Sequence, residues 1–175
     1  TIIAFRPTEC SADAALECID DLKESILGFL MVEDNKAEML QETPPKYEAY
    51  QYVLEAKASP ENANYIALLD NAINTDSNYF EPKVLRVGYY YSKGNYVTAD
   101  SLLKAIHPES HNNHRQLNLL NMYDALLKGN NKAAFQNMME EYRLAPWELK
   151  SNKSAMVVTL QFVNRPEKVE AIFKE

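Results

Sequence analysis

The amino-acid sequence predicts an all-α protein built from repeated antiparallel helix pairs, on three observations. Apolar residues recur at helical spacing along most of the chain. A turn signature returns every 35 residues from Ser59 onward. Glycine is scarce, at 4 residues, where a sandwich or barrel with many tight turns would need more.

The first element breaks the helical pattern. Ile2 to Phe5 is a short apolar run closed by Pro7, and it reads as an extended segment or strand stub. Ser11 is placed to cap the helix that follows. Ala15, Leu16, Ile19, Leu22, Ile26, Leu27 and Leu30 then mark an amphipathic helix of about five turns. A weak helical run around Ala37 to Leu40 is stopped by Pro44-Pro45. Residues 1–46 therefore read as a connecting or capping region.

From Tyr47 the chain is periodic. Lys93-Gly94-Asn95 returns as Lys128-Gly129-Asn130, while Ala99 matches Ala134 and Leu103 matches Met138. One step forward gives Asn164-Arg165-Pro166 as the turn, with Val169 and Phe173 as the apolar positions. One step back gives Ser59-Pro60 and Leu68. The predicted pairs are Tyr47–Lys57 with Glu61–Asn74, Glu81–Ser92 with Tyr96–Ile106, and Arg115–Lys128 with Lys132–Leu144. A fourth pair starts at Leu149–Val163 and continues from Glu167. The repeat boundaries are 47–80, 81–114, 115–148 and 149–175, the last cut short. Gly94 and Gly129 suit the left-handed conformation that ends a helix. Ala99 and Ala134 are small enough for close helix approach, and Leu103, Met138 and Phe173 are expected to fill the next turn.

Paired helices at this period resemble tetratricopeptide repeats. The motifs that carry the resemblance are Tyr90-Tyr91-x-x-Gly94-x-Tyr96 and Ala134-x-x-x-Met138…Pro146, and it covers Tyr47 to Glu175. The Trp and Leu-Gly of the family's first helix are absent. The resemblance implies a tetratricopeptide-like superhelix that binds a protein or peptide partner along a groove. The wider layout is also suggestive: Arg6-Pro7, the Ala15–Leu30 helix, then Pro44-Pro45-x-Tyr47-Glu48-Ala49-Tyr50. It is similar to the C-terminal halves of certain bacterial membrane-anchored transcriptional regulators, adenylate cyclases and kinase-linked chains. That likeness implies a sensory or partner-docking segment of a longer signalling protein, on the extracytoplasmic side with the cytoplasm as the alternative, and with a dimerisation role as an alternative function.

Charge and motifs narrow the function classes. The net charge is −7 and no basic stripe is present, which argues against direct nucleic-acid binding. No apolar run approaches the ~20 residues of a membrane span. The sequence contains no Gly-x-Ser-x-Gly, phosphate loop or His-Glu-x-x-His, so a non-enzymatic scaffold without a cofactor is expected. Asp20-Asp21 and Glu140-Glu141 are adjacent on helices and read as solvated faces.

The groove candidates are Arg86, Tyr89 and Tyr90 on one first helix, and Asn118 and Tyr123 on the next. Of the run Tyr89-Tyr90-Tyr91, one ring is expected in the core and one on the groove. His107, His111 and His114 lie close enough for a metal site or sensor, but Pro108 and Asn112-Asn113 make this a polar inter-repeat loop as the preferred reading. Trp147 reads as a plug between the third and fourth pairs. Cys10 and Cys18 are eight residues apart. On one helix that is roughly 12 Å, too far to bridge, so two thiols are the favoured reading and a disulfide requires Cys10 outside the helix.

Overall fold

The computed structural model describes residues 15–33, 40, 43–60, 63–108, 113–145, 149–161 and 163–174. Among them the regular structure is helical: α1 Ala15–Glu33, α2 Tyr47–Ala58, α3 Tyr65–Thr75, α4 Phe80–Ser92, α5 Tyr96–Lys104, α6 His114–Leu127, α7 Asn131–Leu144, α8 Leu149–Gln161 and α9 Val169–Lys174. The chain is all-α, with neighbouring helices packed in pairs. It divides into two compact units, Thr1–Arg86 and Val87–Glu175, and the division falls inside α4. The expected strand stub at Ile2–Phe5, the Ser11 cap, Ala37 to Met39 of the weak helical run and Trp147 lie outside the described residues, and Leu40, at the end of that run, is not helical.

In the first unit, α1 packs on α2 and α2 on α3. The close approach of α1 depends on Gly28. A Cβ there would fall 1.8 Å from the Pro45 carbonyl oxygen, inside any possible contact. Asp21 and Glu24 share that side of α1. Lys46 Nζ lies 2.6 Å from Asp21 Oδ1, and the Glu48 N–H donates to Glu24 Oε2 at 3.1 Å. The apolar stripe of Ile19, Leu22, Ile26 and Leu30 runs on the opposite side and is exposed. An amphipathic helix ordinarily buries its apolar face, so the pattern in α1 misleads about which side meets α2.

The N-terminus of α2 has no Ser, Thr, Asn or Asp to cap it, and Lys46 makes no side-chain cap. Carboxylates from α1 and from the α3–α4 connection satisfy it instead. The Lys46 N–H donates to Asp76 Oδ2 at 3.1 Å, and Glu24 takes the Glu48 N–H. Both place negative charge where the helix dipole favours it. Asp76 is buried, and its other oxygen accepts the Asn78 N–H at 3.0 Å, which folds the α3–α4 connection. Ala49, Val53, Ala72 and Tyr79 form the core here, with Tyr50, Tyr52 and Leu85 against it.

Tyr79 is 2% exposed and donates its hydroxyl to Glu81 Oε2 at 3.1 Å. Burial, then the charge of Glu81, pushes its pKa well above the ordinary tyrosine value. Below about pH 10 the phenol is neutral in both folded and unfolded chains. Above it the unfolded chain releases this proton first, so stability falls as pH rises. Denaturant titrations from pH 8 to 11.5 are expected to show that loss, and Tyr79→Phe is expected to make the fall shallower. An unchanged slope would exclude this tyrosine as its source.

In the second unit the turns carry the period. Gly94 (φ 74°), Gly129 (φ 67°) and Asn164 (φ 50°) all adopt the left-handed conformation, 35 residues apart. After α4 and α6 the bonds form Schellman closures: Asn95 N–H to Tyr90 O and Gly94 N–H to Tyr91 O, then Asn130 N–H to Ala125 O and Gly129 N–H to Leu126 O. The Asn of each Gly-Asn pair then opens the next helix. Asn95 Oδ1 accepts from Thr98 N at 3.2 Å, and Asn130 Oδ1 from Ala133 N at 3.1 Å. Replacing Asn130 with Ala is expected to cost about 1 kcal/mol, measured by urea unfolding. A neutral result would mean that water replaces this cap without loss. Ser59, in the first unit, differs: its φ is −143° and its ψ 66°, away from the helical region that the following Pro60 disfavours.

Ala99, Leu103, Ala134 and Met138 are buried as their spacing requires. The fourth pair departs from expectation. Phe173 was the predicted core residue, but it is 77% exposed and Ile172 is buried in its stead. The turn is wider, with Arg165 N–H reaching Thr159 O, six residues back. A 3-10 turn at Pro166–Lys168 follows. Its rotation per residue exceeds that of an α-helix, which moves the inward position from 173 to 172.

Two further expectations are corrected. Cys18 is disulfide-bonded, which overturns the two-thiol reading. Cys10, the other cysteine in the sequence, lies outside the described residues. Glu141 is not on a solvated face: it is 4% exposed and holds Arg115 across α6 and α7, with Nε at 2.8 Å and Nη2 at 2.7 Å from Oε1. Its neighbour Glu140 does face solvent and pairs with Arg143.

Candidate functional site: a tyrosine surface in the second unit

The sequence-predicted groove residues are placed in different ways. Arg86, in the first unit, is within 3.2 Å of Asp70 Oδ1, its guanidinium engaged by the neighbouring helix. Asn118, in the second, is buried on α6 and donates to the Asn137 carbonyl at 2.9 Å, which ties α6 to α7. Both polar groups therefore work inside their own unit.

The tyrosines remain. Tyr89, Tyr90 and Tyr91 end α4, and all three are partly buried, so none goes fully into the core. Tyr89 and Tyr90 meet edge to face at 5.4 Å, and Lys93 Nζ lies 5.6 Å from the Tyr89 ring centre. Tyr91 is the centre of a second group. Its ring lies 5.4 Å from Tyr96 on α5 and 6.5 Å from Tyr123 on α6. Burial, then the neighbouring Tyr96, raises its pKa.

A glycine makes this arrangement possible. A Cβ at Gly88 would sit 2.5 Å from the Tyr123 hydroxyl, so the bare backbone of α4 accepts that ring end-on. Tyr96 is 55% exposed and the adjacent Val97 is 80% exposed, at the first turn of α5. Large apolar side chains are thus presented beside rings already held by their neighbours. Lys104 pairs with Asp100 on α5 at 2.5 Å, and Lys128, just past the end of α6, pairs with Asp124 at 2.7 Å. The surface is amphipathic, offering ring faces and hydroxyls. The one sequence signal for it was the Tyr-Tyr-x-x-Gly-x-Tyr string, which joins Tyr91 and Tyr96 across the turn.

His107 and His114 are both exposed, and His111 lies outside the described residues. Among the described residues, no group of three or more His, Cys, Asp and Glu side chains is placed to hold a metal ion. No described helix is long and apolar enough to cross a membrane. No family model, curated protein or solved structure matches the chain.

Proposed function

We propose that the protein is a non-enzymatic docking scaffold and that the tyrosine surface of the second unit receives a protein or peptide partner. The observation that carries this is the exposure of Tyr96 and Val97 beside the interlocked Tyr91 and Tyr123. Tyrosine gives large, rigid contact area at low entropic cost, with a hydroxyl for orientation, and such residues dominate binding energy at interfaces.

The sequence resemblance supports a role within a longer bacterial signalling or regulatory chain. The bonded state of Cys18 fits an oxidising compartment, and so an extracytoplasmic position. The test is a peptide array probed with the whole chain, followed by titration of the best ligands. Tyr91→Ala with Tyr96→Ala is expected to weaken binding about thirtyfold or more, the loss of one strong hot spot. Circular dichroism checks that the variant keeps its helices. Absence of any wild-type binding above background overturns the docking reading. Equal binding by the variant moves the site elsewhere.

A further inference from the structure

We draw no further inference here: the strongest candidate, the exposed apolar stripe of Ile19, Leu22, Ile26 and Leu30 along α1, carries nothing because no feature of the structure shows what covers it.

Discussion

Replacing Glu141 with Ala is expected to destabilise the second unit by about 3–5 kcal/mol, the cost typical of breaking a buried ion pair. Arg115 and Glu141 are both largely removed from water, and two guanidinium nitrogens converge on one carboxylate oxygen. Truncation takes away that counter-charge but leaves the guanidinium enclosed between α6 and α7. The partial exposure of Arg115 sets the direction of relief, since its head can turn toward solvent and lower the cost. A double variant, Arg115→Met with Glu141→Leu, is expected to recover most of the loss, because an apolar pair of similar size pays no desolvation. Chemical denaturation of the parent, Arg115→Met, Glu141→Leu and the double variant closes the cycle and gives the coupling directly. If the single variants add without coupling, the pair is not the link between these helices.

Gly28→Ala is the second large expected effect, and its sign is the test. In an exposed helix interior the change stabilises by about 1 kcal/mol, because alanine loses less backbone freedom on folding. Here the added methyl would lie 1.8 Å from the Pro45 oxygen and 3.2 Å from the Tyr47 nitrogen. Both are backbone atoms, so no side chain can rotate out of the way. Pro45 is itself fully buried, which leaves little room for retreat. Relief requires α1 to shift from α2, which strains the Asp21–Lys46 and Glu24–Glu48 links. A net loss of about 1–3 kcal/mol is expected, as for overpacking of a filled site. Hydrogen exchange is expected to show the loss concentrated in α1. A variant more stable than the parent would mean that α1 does not sit against Pro45.

The helical architecture was readable because the signals for it are local. Gly94, Gly129 and Asn164 terminate helices through hydrogen bonds that span at most six residues, and Ala99 and Ala134 recur in step with them. The part of the candidate site joined across one such turn, Tyr91 with Tyr96, was readable for the same reason. Tyr123 was recognised as a groove residue, but its seat on Gly88 was not, since those residues lie on different helices. Polarity and helix position single out Arg86 and Asn118, and neither property reveals a partner such as Asp70 or the Asn137 carbonyl.

By itself, then, the sequence determined the helices, the 35-residue period and the left-handed turns at Gly94 and Gly129, all set by steric and hydrogen-bonding preferences within a few residues. The tertiary structure alone decided that Glu24 and Asp76 cap α2, that Glu141 is buried while Glu140 is not, and that Ile172 replaces Phe173 in the core. It also turned the apolar stripe of α1 away from α2. Each of these depends on which groups meet across the chain, or on a small change of helical phase. Charge, periodicity and composition are equally compatible with either outcome.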